Sequence, residues 1–212
     1  MPWLTSEIAN VVVQGLRRRA KEDDVEQAVY GLDAEDELGL HPLIQAALRA
    51  CGWGVWPEQR YPSDWTKPKH SEGQRCDVVL THDDLPLRDP LIRGTLFDAI
   101  EAQDPEHAYW LEIKTVAQYE ISGPFARYSA ELLWTVTQDV KKLWSDPVIR
   151  HAGLLLVLFT ESHEIADHDL RVWYQRCLGR GYPVTVPEVA GFDITDRIGN
   201  TWCAVALFGV RT

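Results

Sequence analysis

Apolar positions along this chain recur with two periods. Between Thr5 and Arg19, Ile8, Val11, Val12 and Leu16 stand three or four residues apart, which predicts a helix. Thr5 or Ser6 can cap it, and Arg17, Arg18 and Arg19 suit its C-terminal end. A second short helix is expected over Glu22–Tyr30, stopped by Gly31. A third covers His41–Cys51, with Pro42 tolerated in its first turn, Leu43, Ala47 and Ala50 on the buried side, and Gly52 as its end. The period then shortens. Val55–Tyr61, Arg75–Leu80 (RCDVVL) and Ala108–Val116 (AYWLEIKTV) carry the aromatic and branched residues of strands. The polar stretch Pro62–Gln74 reads as a loop, and Thr81–Ala108 as turns with one helix near Leu96–Gln103.

The helical period returns at Tyr128–Ser145, where Leu132, Val136, Val140 and Leu143 form one stripe. Gly153–Thr160 (GLLLVLFT) is continuously apolar, as in a strand covered on both faces. A helix over Asp169–Leu178 and a strand over Thr201–Val210 close the chain. This order predicts an α/β fold, a mixed central sheet flanked by helices. Residues 1–34 are expected to form a short N-terminal helical extension, and 35–212 the main domain.

Composition narrows the class. The chain has 212 residues, 45% hydrophobic and 25% charged, which are ordinary globular values. Nine tryptophans are more than expected, and most should pack a core. Cys51, Cys76, Cys177 and Cys203 are scattered with no paired spacing, which argues against a zinc or disulfide framework and for a reducing cytoplasm. The longest apolar stretch, Leu154–Phe159, is too short for a membrane span. A net charge of −11 argues against nucleic acid binding over the whole surface, though not in a local basic groove. No Gly-rich phosphate loop and no Ser or Cys nucleophile motif is present, so NTPase and acyl-transfer chemistry lack support.

The candidate chemistry lies on two of the predicted strands. Glu112 and Lys114, two apart, point to one face while Leu111 and Ile113 point to the other. An E-x-K triplet arises by chance roughly once in a chain of this size, so alone it describes a surface ion pair. Asp77 changes that reading. It interrupts the apolar strand RCDVVL, and an acid in a core strand is disfavoured unless it is paired or bound to metal.

With the helix before and the helix and buried strand after, this D…E-x-K arrangement resembles the PD-(D/E)XK nuclease superfamily over about Leu40–Thr160. The resemblance implies a restriction-endonuclease-like sheet and a metal-dependent phosphodiesterase acting on nucleic acid, DNA above all. Asp77, Glu112 and the carbonyl of Ile113 would then hold Mg²⁺, with Mn²⁺ as a substitute. Lys114 would position or activate the attacking water, Gln138 would assist, and a homodimer would suit cutting of two strands. Hard oxygen ligands suit Mg²⁺, and partial burial would move Lys114 toward a general base. Cys76 departs from the proline of the motif's name. A further ligand could come from Glu37 or Glu58. The alternative function is a catalytically silent scaffold that binds nucleic acid or protein.

Other groups admit two readings each. Trp134, Gln138 and Lys141 share a helix stripe with Lys142 beside it, either a wall of the cleft or a solvated face. Arg75, with Lys67, Lys69 and His70, is either a source of positive potential toward DNA or part of a polar loop. His163, Glu164, His168 and Asp169 are either a second metal cluster or a loop before an Asp-capped helix. Asp139-Val140-Lys141 mimics D-x-K, but on a helix residues two apart do not share a face.

Overall fold

The computed structural model describes residues 2–65, 73–89, 91–98 and 101–210. Helix α1 (Thr5–Val25) is followed by α2 (Glu37–Ala50) and by strands β1 (Gly54–Arg60), β2 (Arg75–Thr81) and β3 (Tyr109–Ala117). A small hairpin, β4 (Tyr119–Glu120) and β5 (Gly123–Pro124), leads into α3 (Tyr128–Ala130), a π-helical turn (Glu131–Thr135) and α4 (Val136–Ser145). Strand β6 (His151–Thr160), α5 (His163–Gly179), β7 (Glu188–Asp193) and β8 (Trp202–Val210) complete it. The sheet is mixed and six-stranded, in the order β1-β2-β3-β6-β8-β7, with β3 and β6 parallel and every other neighbouring pair antiparallel. The architecture is thus α/β with helices on both faces of a mixed sheet.

Two apolar layers hold it together. Ile8, Val12 and Leu16 of α1 and Leu40, Ile44 and Leu48 of α2 pack with Val78, Leu111, Leu155 and Val205. On the opposite face, Val136, Val140 and Leu143 of α4 and Trp173 of α5 pack with Trp110, Leu154, Leu156 and Phe208. Strand β6 is buried almost throughout, as its unbroken apolar run requires. Trp110 and Trp173 are fully buried, whereas Trp134 and Trp144 stand exposed on the long helix. All four cysteines are free. No helix among the described residues is long and apolar enough to cross a membrane.

Several elements differ from expectation. There is no separate helix over Glu22–Tyr30. Instead α1 runs on to Val25, carried by the i,i+4 pairs Arg18–Glu22 and Arg19–Asp23. Helix α2 starts at Glu37 because Asp36 caps it, accepting from the Gly39 N–H at 2.8 Å, so Pro42 lies inside the helix and not in its first turn. Similarly, Ser162 caps α5 from His163 onward, six residues ahead of Asp169. The long helix is interrupted by its π turn. Around Leu96–Gln103 the described residues form turns and no helix.

Glycine separates the tight contacts from the open ones. A Cβ on Gly15 of α1 would sit 2.5 Å from Ala47 Cβ of α2, so the two helices meet backbone to side chain. A Cβ on Gly179 at the end of α5 would meet nothing within 4 Å. Gly15→Val should therefore lower stability by about 1–3 kcal/mol through overpacking. Gly179→Ala should be neutral or gain up to about 1 kcal/mol from helix propensity. Urea unfolding followed by circular dichroism measures both, and equal effects at the two sites would contradict this packing.

Candidate metal centre

Three acids fall in one cross-strand row where β1, β2 and β3 end their pairing. The ladder between β2 and β3 runs from Leu80↔Tyr109 to Val78↔Leu111, and one step further sets Asp77 opposite Glu112. Between β1 and β2 the pairs Pro57↔Val78 and Gln59↔Cys76 frame Glu58 and Asp77. Beyond the β2–β3 ladder the Asp77 side chain replaces the backbone, its Oδ2 accepting from the Ile113 N–H at 2.7 Å. Glu58 has a φ of 54°, a left-handed conformation inside a strand that costs a non-glycine residue about 1–3 kcal/mol. Helix α2 lies over this end, and Glu37 and His41, four apart, share the face it presents.

His41, Glu58 and Asp77 each bring one ligand atom into a group whose members lie within 4.8 Å of one another. His41 is only 7% exposed, and its Nε2 has no hydrogen-bond partner among the described residues. A buried ring nitrogen left unsatisfied is costly unless something fills its place. An imidazole nitrogen with two carboxylates is a donor set that fits a divalent cation, with Mn²⁺ favoured over Mg²⁺ by the nitrogen.

Glu112 lies outside that group. It is 2% exposed and accepts a short hydrogen bond from the Tyr61 hydroxyl. Burial first, and then the negative charge of Asp77, push its carboxyl well above the usual range, against the opposing charge of Lys142. Lys142 is half-buried and pairs with Asp139 at 2.6 Å. Burial presses its ammonium down, but Glu112 and Asp139 outweigh burial and hold it charged.

Lys114 sits 3.0 Å from Glu37 Oε2, and the Thr115 N–H reaches the same oxygen at 3.4 Å. Burial alone would lower the Lys114 pKa, but the hydrogen bond and charge of Glu37 outweigh it, and the net shift is upward. The expectation that burial would turn Lys114 into a base is thereby corrected. It stands as a cation.

Asp77 and Lys114 thus meet at this end of the sheet together with Glu37 and Glu58, both weighed from sequence. Ile113 contributes its N–H to Asp77. Gln138 is half-buried on α4, Lys141 is exposed with its Nζ 5.7 Å from the Tyr182 ring centre, and Arg75 donates to the Glu58 carbonyl at 2.7 Å. Lys67, Lys69 and His70 lie outside the described residues. His163 pairs with Asp167 at 3.1 Å and packs edge-on to Trp202, while His168 turns to Asp169; both lie within α5, where no metal-holding group forms among the described residues. His41 and Tyr61 were missed, and Asp139 was weighed only as part of a D-x-K mimic. The four-residue step from Glu37 could have pointed to His41, but no local pattern marks Tyr61. No family model, curated protein or solved structure matches the chain.

The Glu112 shift has a signed consequence. The folded chain keeps this proton to a higher pH than the unfolded chain does. Above about pH 4.3 the folded state therefore binds more protons, and Glu112 makes stability fall as pH rises toward its folded pKa. Glu112→Gln should abolish that component. Urea midpoints at about pH 5 and pH 8 should show the variant gaining on the parent with rising pH. A parent–variant difference that stays constant with pH would contradict the buried-carboxyl assignment.

Proposed function

We propose that this chain is a divalent-metal-dependent phosphodiesterase acting on nucleic acid, with DNA the favoured substrate and Mg²⁺ or Mn²⁺ the cofactor. The observation that carries the reading is the convergence of His41, Glu58 and Asp77 beside the strand that bears Glu112 and Lys114. The resemblance of the D…E-x-K pattern to PD-(D/E)XK nucleases supports the same class. His41, Glu58 and Asp77 would hold the cation, which would neutralise phosphate charge and lower the pKa of bound water. Asp77 is oriented for this by the Ile113 N–H, and Glu58 by its backbone. Lys114, kept charged by Glu37, would orient the phosphate or the attacking water without taking its proton. Lys142 and Tyr61 hold Glu112 behind the group.

The enclosure of Glu112 by Tyr61 favours a second reading, a catalytically silent module on the same scaffold. Two measurements separate them. Calorimetric titration should show Mn²⁺ binding more tightly than Mg²⁺ and binding lost in Asp77→Ala and His41→Ala. Nicking of plasmid and cleavage of single strands with Mn²⁺ should fall roughly 10²–10³-fold in Lys114→Ala, the loss expected of one charge-stabilising donor. Metal binding without any cleavage by the parent would leave the silent module standing. No metal binding at all would remove the centre itself.

A further inference from the structure

Glu112 is the acid at this end of the sheet that has no place in the metal group. One step beyond the β2–β3 ladder sets it opposite Asp77, a position from which paired side chains approach to about 5 Å. Yet the ligand atoms that lie within 4.8 Å of one another belong to His41, Glu58 and Asp77, and Glu112 is instead buried. The Tyr61 hydroxyl is its one hydrogen-bond partner among the described residues. Lys142 attracts it from α4 but is committed to Asp139 at 2.6 Å. A neutral donor, and not an ion pair of its own, thus holds this carboxyl away from the group.

Tyr61 is fixed well enough to do so. It follows directly on β1, is 3% exposed, and its ring stacks on Trp110 with the centroids 5.9 Å apart. Its N–H donates to the Gln74 carbonyl at 3.2 Å, and two residues on the Ser63 N–H donates to Asp146 beyond the end of α4 at 2.9 Å. Burial pushes the pKa of the hydroxyl up, so it stays a donor. The stack on Trp110 needs only the ring, which leaves the hydroxyl to Glu112. The glutamate itself is not so fixed, because a change of rotamer moves its carboxyl without moving β3. A cation held by one imidazole and two carboxylates also has room for more oxygen, since Mg²⁺ and Mn²⁺ favour octahedral sites.

We propose that Tyr61 is a positioning residue that holds Glu112 in reserve, and that its hydroxyl decides whether a bound cation meets two carboxylates or three. The proposal rests on the metal-dependent reading of this site. Released from Tyr61, the carboxyl turns toward Asp77, gives its proton to solvent and binds the cation, as protonated ligands do on meeting a metal.

The full-length chain is titrated calorimetrically with Mn²⁺ at a single pH, alongside Tyr61→Phe, Glu112→Gln and the double variant. Tyr61→Phe keeps the ring and should bind Mn²⁺ about tenfold more tightly, the scale of one hydrogen bond to a carboxylate. A tyrosine that only supports the fold would give no change or a weaker site. In the Glu112→Gln background the same substitution should add nothing, because the third carboxylate is gone. Urea unfolding establishes that each variant is folded under the titration conditions. Parental or weaker affinity in folded Tyr61→Phe overturns the proposal, and so does a gain that survives in the double variant. A tenfold loss in Glu112→Gln alone overturns it whether or not Tyr61→Phe folds, since the carboxyl would already be on the cation. The expected gain, with no cleavage of DNA by parent or variant, would keep the role of Tyr61 and retire the phosphodiesterase reading. No Mn²⁺ binding by either would remove the centre and this role together.

Discussion

The bond from the Ile113 N–H to Asp77 Oδ2 is the constraint on which the site depends. Strands β2 and β3 cease to pair beyond Val78 and Leu111, so the amide of Ile113 would be left without its ladder acceptor. Buried amides are almost always satisfied. Here a side chain does it, which fixes one carboxylate oxygen of Asp77 on the backbone. The acid in the middle of RCDVVL is thus held in a set direction at the point where the sheet opens and α2 can bring His41 to it.

Charge around that point is nearly, but not fully, balanced. Lys114 is matched by Glu37 and Lys142 by Asp139. Among the described residues Asp77, Glu58 and Glu112 form no salt bridge, and the lysine that Glu112 feels close by, Lys142, is already paired with Asp139. Glu112 settles its share by burial, a raised pKa and the hydroxyl of Tyr61. Asp77 and Glu58 instead share a group with a ring nitrogen of the buried His41. Buried ion pairs often add little to stability because desolvation offsets their attraction. The two lysines are better understood as setting the local field than as holding the fold together.

Much of the architecture was legible because it follows from local pattern. The strands RCDVVL and AYWLEIKTV, the apolar run of β6 and the stripe of the long helix each announce themselves by period and composition. Strand β7 does not: Phe192 is its one buried residue, and it exists because β8 offers an edge. The site was half legible for a similar reason. Asp77, Glu112 and Lys114 stand out against their strands, but what each does is decided by residues far away in sequence. Glu37 keeps Lys114 charged across 77 positions, and Tyr61 turns Glu112 inward across 51. Burial alone gave the wrong sign for Lys114 because its partner was not visible. Asp139 matches D-x-K with Lys141 but lies on a helix, where that pair does not share a face; α4 instead buries it as the partner of Lys142.

A net charge of −11 and a polyanionic substrate are compatible only if charge is segregated. In sheet order Asp77 on β2 lies between two unlike surfaces. On the β3 side, a cleft of about 690 Å³ beside Lys114 is lined by Asp33, Glu35, Asp36, Glu120 and Glu131. On the β1 side a smaller cleft has a mixed lining, Arg60, Arg75 and Arg88 with Glu58 and Asp89. Fields from exposed charges fade over roughly 10 Å in physiological salt, so a strand bound at the metal centre, as proposed, would respond to these neighbours more than to the total. On the proposed function, the acidic surplus would hold a polyanion away from the flank beside Lys114, and a cation held by His41, Glu58 and Asp77 would supply the local attraction that the total charge withholds.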